Sequence, residues 1–273
     1  MPGPVLIVYS TKDPAGLNIK TQLIEDFHFE QTEEAFQELP VYKRGDVRLV
    51  GVQSHIIEAE SLAQAFQPDY ALFASKHVSE SGEPAFTVHT TGLTHEYASR
   101  EIPQPLLAWA YPQKMKIALM HLLNNREKYD LGSYKVSFEA THHGPVTLPF
   151  PLLFVEIGSK EENWQNSTAG KLVASAIMEA TSAENSDAGA VGFGGGHYAP
   201  KQTRITVEEK IAVGHSIAKY ALPVFHEQLF RVAVEKTRGG CRKAVIDWKG
   251  VRGEVRRGLE EAASTWGVEI IRV

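Results

Sequence analysis

Short apolar runs alternate along the chain with longer stretches in which apolar side chains recur every three or four positions. Short runs rich in β-branched residues predict buried strands, and the longer spacing predicts helices with one apolar face. The predicted strands are 5–10, 47–53, 70–75, 86–90, 135–141, 152–158, 190–194, 211–215, 244–248 and 268–273. The predicted helices are 14–26, 103–129, 159–181, 223–237 and 251–265. Strands that alternate with helices predict an α/β fold with a mixed, mostly parallel sheet flanked by helices.

Two helix starts carry capping signals. Asp13 followed by Pro14 predicts an N-cap with proline at the first helical position. The tetrapeptide Ser-Lys-Glu-Glu at 159–162 has the form of a capping box and predicts that the helix 159–181 starts there. The polar loops 79–84 and 182–187 are too short to act as domain linkers, so we expect a single α/β catalytic domain over 1–273.

Composition narrows the class of protein. The chain has 273 residues, of which 43% are hydrophobic, enough for a substantial core, and its one cysteine, Cys241, cannot form an internal disulfide. No stretch has the roughly 18 uncharged apolar residues of a membrane span, and the first strand follows the start without a basic leader. We therefore expect a cytoplasmic protein that does not enter a membrane, and a monomer.

The charge is unevenly placed on a chain whose net charge is −5. Segment 231–257 holds nine lysines and arginines against three acidic residues, and the remainder is acidic. This basic segment is either a solvated helical surface or a contact with a phosphate backbone, because clustered cations on an acidic protein attract polyanions. Arg238, Arg242 and Lys243 are the candidate contacts.

Six histidines follow apolar runs at the points where the chain turns. They are His77, His89, His142, His143, His197 and His215. Neighbouring parallel strands end at one edge of a sheet, so these imidazoles could meet in one site, although a lone histidine there is more often a hydrogen-bonded polar residue. His142 and His143 point to opposite faces of an extended chain, so both serve one site only if Gly144-Pro145 bends it. No fixed-spacing zinc signature is present.

Glu156 and a glycine loop are the other candidates. Glu156 lies within an apolar strand, where it either serves a polar site as base or ligand or is satisfied by a neighbouring group. Gly194, Gly195 and Gly196 follow a strand, and their amides could hold a phosphate or an oxyanion, or form only a tight turn. The loop lacks the spacing of a Walker or dinucleotide-binding motif.

Four segments contain the six histidines, Glu156 and the glycine loop. They are SKHVSESGEPAFTVHTTG at 75–92, EATHHGPVTLPFPLLFVEIGS at 139–159, VGFGGGHYAP at 191–200 and IAVGHSIAKYAL at 211–222. Together they resemble the archaeal and plant type of D-aminoacyl-tRNA deacylase. The resemblance implies an enzyme that hydrolyses the ester between a D-amino acid and tRNA. It also implies zinc and a fold like those of peptidyl-tRNA hydrolase and purine nucleoside phosphorylase. The family's histidines fall on the six named above and its glutamate on Glu156.

Within this resemblance we assign His89, His142, His143 and His215 as candidate Zn²⁺ ligands and Glu156 and His197 as catalytic groups. Zinc can lower the pKa of water to about 7, and the amides of Gly194, Gly195 and Gly196 could stabilise an oxyanion. The number of ions stays open. Three alternatives remain at this point: a metal-independent esterase like peptidyl-tRNA hydrolase, a phosphorylase-like nucleosidase, and a non-catalytic RNA-binding module.

Overall fold

The computed structural model describes residues 3–94 and 105–273. The chain divides into two compact units, one comprising Met1–Val88, Ile117–Val136 and Leu148–Ala183, the other His89–Lys116, Ser137–Thr147 and Glu184–Val273. Segments of the two units alternate along the sequence, so neither unit is a separate stretch of chain. The single catalytic domain expected over 1–273 stays a prediction.

An eight-stranded sheet organises the first unit. Its strands are β1 (Val5–Ser10), β2 (Glu30–Phe36), β3 (Leu39–Arg44), β4 (Val47–Val52), β5 (Tyr70–Val78), β6 (Ala85–His89), β9 (Lys135–Phe138) and β10 (Leu152–Ser159). Their order in the sheet is β2-β3-β4-β1-β5-β10-β6-β9. Strands β1, β4, β5 and β10 pair in parallel, whereas β2 pairs with β3 and β3 with β4 in antiparallel fashion. The mixed, mostly parallel α/β fold is therefore confirmed.

Helices α1 (Pro14–Phe27), α2 (Leu62–Ala65), α4 (Glu161–Trp164) and α5 (Ser167–Ser182) belong to the same unit. Asp13 caps α1 by accepting the Gly16 amide at 2.9 Å, so the predicted start of this helix is confirmed. The helix predicted over 159–181 is interrupted, because the four-residue helix α4 begins at Glu161, two residues after the predicted start, and ends at Trp164. Ser159 ends β10 and its hydroxyl donates to the Glu83 carbonyl, while the long helix begins at Ser167, capped by the Asn166 side chain.

The second unit contains a four-stranded sheet in the order β12-β11-β13-β14, and all its pairs are parallel. Its strands are β11 (Ala188–Phe193), β12 (Ile211–Ile217), β13 (Lys243–Ile246) and β14 (Glu269–Arg272). Helices α6 (Pro200–Glu208), α7 (Leu222–Glu235) and α8 (Gly253–Trp266) accompany them. Phe193 and Phe230 stack with ring centroids 5.3 Å apart, in a buried core that the sheet shares with α7 and α8.

Two short strands, β7 (Gly92–Leu93) and β8 (Leu106–Leu107), form an antiparallel pair in this unit. Helix α3 (Pro112–Asn125) follows and carries the chain into the first unit at Ile117. The helix predicted over 103–129 is too long, because α3 begins only at Pro112 and ends at Asn125. Residues 103–104 of this prediction lie outside the described residues. In the part of the chain that the structure describes, no helix has the length and apolar character to cross a bilayer.

Candidate functional site

Three imidazoles of the second unit lie together at the ends of extended segments. His89 ends β6, and His142 is held beside this chain by a parallel bridge to Thr91 and by a bond from the Gly92 amide to its carbonyl. A Cβ at Gly92 would lie 2.6 Å from the Thr141 methyl, so the close approach of the two segments requires glycine.

His142 and His143 serve one site. The residue His143 has a φ of +41°, which turns the chain and places both imidazoles on the same side. Their ring centroids are 4.3 Å apart, and they lie 4.5 Å and 5.0 Å from the ring of His89. One nitrogen from each of the three rings falls within a group whose atoms are all less than 4.8 Å apart. The bend at 142–145, on which the sequence argument depended, is therefore present.

Backbone carbonyls fix the tautomers of these rings. His89 Nδ1 lies 3.0 Å from the Thr90 carbonyl oxygen. His142 Nδ1 lies 2.7 Å from the Ala140 carbonyl oxygen, and His143 Nδ1 lies 2.6 Å from the Gly144 carbonyl oxygen. A carbonyl oxygen only accepts, so each Nδ1 carries the proton and each Nε2 keeps a lone pair. This is the arrangement in which histidine binds a metal ion through Nε2.

Burial keeps the rings neutral. Desolvation, reinforced by the neighbouring imidazoles of His89 and His143, lowers the pKa of His142 to about 2. Burial, again reinforced by His89, lowers the pKa of His143 to about 3. Because only neutral imidazole is a metal ligand, both rings are ready to coordinate at neutral pH.

Glu139 completes the cluster and was missed by the sequence reasoning. Its carboxylate is buried, and Oε2 lies 3.5 Å from His142 Nε2 and 3.2 Å from His197 Nε2. A carboxylate next to the lone pair of His142 is unfavourable unless a cation or proton lies nearby. The residues therefore fit a divalent cation such as Zn²⁺, which prefers neutral imidazole and carboxylate ligands. The signal was available, since Glu139 stands in an apolar run as Glu156 does.

His197 lies at the exposed edge of this cluster. Its ring centroid is 4.8 Å from that of His142, and its side chain is 44% exposed. The Ala140 amide donates to the His197 carbonyl at 2.7 Å, which ties the glycine loop to the segment that carries Glu139. His197 is thus next to the buried imidazoles while remaining open to a large substrate.

The glycine loop is held by backbone bonds, which changes its predicted role. Gly194 and Gly195 have φ values of +105° and +82°, and the Gly194 amide donates to the Ile217 carbonyl at 2.8 Å. The Gly195 amide bonds to the Asp247 carboxylate, and Lys201 also bonds to Asp247. Burial alone would raise the pKa of Asp247, but these hydrogen bonds lower it overall. Of the three predicted oxyanion donors, Gly194 and Gly195 are committed elsewhere, and only Gly196 stays a candidate.

His215 does not join the metal group. It is fully buried in β12, its Nδ1 lies 3.3 Å from the Thr141 hydroxyl, and it is in none of the possible ligand groups formed by described residues. Burial lowers its pKa to about 4, opposed by the carbonyls of Lys236 and Ala108. His215 supports, through Thr141, the segment that carries His142.

Glu156 belongs to the first unit. It is buried in β10, where it accepts a hydrogen bond of 3.0 Å from the Thr87 hydroxyl and lies 3.9 Å from His77 Nδ1. The sequence left open whether Glu156 serves a polar site or is satisfied by a neighbouring group. Thr87 and His77 are such neighbours. Its catalytic role stays a prediction.

The three predicted tRNA contacts have different surroundings. Lys243 pairs with Glu269 at 2.8 Å, and Arg238 lies over the ring of Tyr111 with Cζ 4.7 Å from the centroid. Arg242 is exposed. Their contact with nucleic acid stays a prediction.

Neutral imidazoles gathered beside a buried carboxylate in an α/β fold are the site of a hydrolytic enzyme. Residues 64–271 match the model of the D-aminoacyl-tRNA deacylase family, and the chain belongs to this family.

Curated relatives extend the match over nearly the whole chain. The D-aminoacyl-tRNA deacylase of Pyrococcus horikoshii is 38% identical over 281 residues, covering 97% of this chain and 99% of the relative. That of Thermococcus kodakarensis is 40% identical over 277 residues with the same coverage. A crystal structure of a conserved protein of unknown function has a TM-score of 0.87 and 33% identity, covering 98% of this chain and 95% of that one.

Proposed function

We propose that this protein hydrolyses the ester bond of D-aminoacyl-tRNA and releases the free D-amino acid and tRNA. Membership of the deacylase family supports the reaction. The observation that carries the proposal is the cluster of His89, His142 and His143, each of which brings one ring nitrogen to a common group, with Glu139 beside His142 and His197. An acylated adenosine brings an ester carbonyl and a ribose oxygen to this cluster, and hydrolysis needs a proton taken from water and returned to that oxygen.

We assign the Nε2 atoms of His89, His142 and His143 as ligands of a Zn²⁺ ion. A zinc ion held there would supply a Lewis acid that lowers the pKa of water to about 7. The carbonyls of Thr90, Ala140 and Gly144 hold the three rings in the required tautomer, as carbonyls commonly do for ligating histidines.

His197 moves the proton. Glu139 Oε2 lies 3.2 Å from its Nε2, so the carboxylate orients the imidazole that accepts a proton from water. The same imidazole then returns the proton to the ribose oxygen as the ester breaks. Gly196, next in sequence, offers its amide to the carbonyl oxygen of the tetrahedral intermediate.

Matched D- and L-aminoacyl-tRNAs test the reaction. Release of free amino acid is followed for both esters, and we expect preferential release from the D-ester. Equal hydrolysis of both esters, or of neither, would contradict the proposal. His142→Ala is expected to abolish release, whereas His55→Ala changes an exposed histidine outside the cluster and should leave it intact.

Chelation tests the metal separately. Demetallated protein should lose activity and regain it on zinc addition, and metal analysis should find less zinc in the His142→Ala protein than in the His55→Ala protein. Full activity after demetallation would refute the zinc assignment and leave the hydrolytic function standing, with imidazole as general base.

A further inference from the structure

A strip of two aromatic and two basic side chains lies on the second unit. Ala110 and Thr237 form an isolated parallel bridge, in which the Ala110 amide donates to the Lys236 carbonyl at 2.8 Å and the Arg238 amide to the Ala110 carbonyl at 2.9 Å. Both bridge residues are buried. Trp109 and Tyr111 flank Ala110 in sequence, and Lys236 and Arg238 flank Thr237; all four are more exposed than the two bridge residues.

Each cation in this strip lies over one ring. Lys236 Nζ is 4.7 Å from the centroid of Trp109, and Arg238 Cζ is 4.7 Å from the centroid of Tyr111. All four side chains are half-buried, so they are ordered by their neighbours and still accessible. Paired cations and rings of this kind also stabilise ordinary surfaces, so the place of the strip on the molecule decides whether it binds a ligand.

The position is close to the histidine cluster. The Ala108 amide donates to the Thr91 carbonyl at 3.1 Å, and Thr91 bridges His142. The segment that carries Trp109 is thus two strand spacings from His142, or roughly 10 Å at about 4.8 Å each. If the ester of the terminal adenosine lies at the histidine cluster, this distance places the nucleotides just before that adenosine at the strip.

We propose that Trp109, Tyr111, Lys236 and Arg238 bind the single-stranded 3′ end of tRNA, with bases stacked on the rings and phosphates paired with the cations. Proteins that bind single-stranded nucleic acid combine aromatic platforms with basic side chains in this way. Each cation can turn from its ring to a phosphate, and the ring face it leaves accepts a base. The inference rests on the proposed function for its substrate. It extends the sequence prediction for Arg238 to Lys236 of the same basic segment and to two aromatic residues, Trp109 and Tyr111, that charge did not indicate.

Binding of a labelled single-stranded RNA with the 3′-terminal sequence of tRNA, followed by fluorescence anisotropy, tests the strip. Trp109→Leu keeps apolar bulk without a stacking ring and should weaken binding about tenfold, whereas Trp109→Phe keeps a ring and should bind nearly as the wild type does. Lys236→Gln should reduce the slope of log affinity against log salt by about 0.7, the value for one phosphate contact. Trp266→Leu and Lys210→Gln are matched controls on exposed residues outside the strip and should behave as wild type.

Kinetics provide the second measurement. We expect Trp109→Leu to raise KM for D-aminoacyl-tRNA about tenfold more than KM for a D-aminoacyl ester of adenosine, which lacks the preceding nucleotides. Equal effects on both substrates, or equal RNA binding by Trp109→Leu and Trp266→Leu, would overturn the proposal. Competition by an acidic peptide as strong as that by the RNA would also overturn it in favour of a protein partner. RNA binding requires no ester cleavage. The anisotropy measurement therefore tests the strip even if the protein releases no amino acid from D-aminoacyl-tRNA.

Discussion

At the scale of single residues, the site depends on hydrogen bonds that fix which nitrogen of each ring is protonated. The Nδ1 atoms of His89, His142 and His143 face backbone carbonyls, which leaves a lone pair on each Nε2, and one nitrogen of each ring belongs to a common group. Glu139 then provides the negative charge beside His142 and His197. The chemistry is set by these orientations as much as by the residue types.

Replacing Glu139 by glutamine tests this orientation. Glu139→Gln keeps the shape of the side chain but removes the charge beside His197 Nε2, so kcat for D-aminoacyl-tRNA should fall by about 10–100-fold, as for other outer partners of catalytic histidines. Glu208→Gln changes an exposed carboxylate of α6 and is the control. Unchanged kcat in the Glu139→Gln protein would remove Glu139 from the mechanism.

The glycine loop allows a matched pair of substitutions. Gly194→Ala places a Cβ 2.5 Å from Asp247 Cβ at a φ of +105°, whereas a Cβ at Gly196 meets nothing within 4 Å. Gly194→Ala should therefore lower the free energy of unfolding by about 1–3 kcal/mol, the cost of a strained backbone, and Gly196→Ala should change it little. Urea unfolding measures both. Equal stability of the two variants would mean that the loop tolerates a side chain at Gly194.

At the scale of elements, caps and strand ends determine where the site residues stand. The apolar runs predicted most strands to within a few residues, and β1 in full, because buried strands need continuous apolar side chains. Strand β2 was not predicted, because five of its seven residues are exposed and its sequence, EQTEEAF, lacks apolar alternation. Helix α6 was not predicted because it has no apolar stripe. Only Gln202 and Thr206 are buried among its nine residues.

The side chain of Asn166 caps the start of α5 and should contribute to the stability of the protein. Asn166 accepts bonds from the Thr168 and Ala169 amides at 2.9 Å and 3.1 Å, so Asn166→Ala should reduce the free energy of unfolding by about 1 kcal/mol. The measurement is the midpoint of urea unfolding. Thr168→Ala, which leaves the cap in place, is the control, and an equal loss in both would argue against capping by Asn166.

At the scale of the whole molecule, buried imidazoles couple stability to pH. Burial lowers the pKa of His215 to about 4, and in the unfolded chain the group returns to its ordinary value near 6.5. The unfolded state therefore binds a proton at higher pH, so this contribution to stability is complete above about pH 6.5 and is lost as pH falls towards 4. The lowered pKa values of His142 and His143 act in the same direction.

Urea unfolding of demetallated protein at pH 7.5 and pH 5 measures this coupling. Wild type should lose stability at the lower pH, and His215→Asn, which cannot bind the proton, should lose less between the two pH values. His55→Asn alters an exposed histidine and should follow the wild type. An identical pH dependence in the His215→Asn and wild-type proteins would contradict a depressed pKa at His215.

The sequence by itself determined the α/β class, most of the buried strands and the set of histidines at strand ends, because hydrophobic periodicity and turn residues act over a few neighbours along the chain. It also carried the resemblance to the deacylase family in its His-His-Gly-Pro and Gly-Gly-Gly-His blocks. Only the tertiary structure decided that His215 stands apart from His89, His142 and His143, that Glu139 joins them, and that Asp247 holds the Gly195 amide. These facts depend on which distant segments lie side by side and which way their side chains point, and local sequence patterns do not encode that pairing.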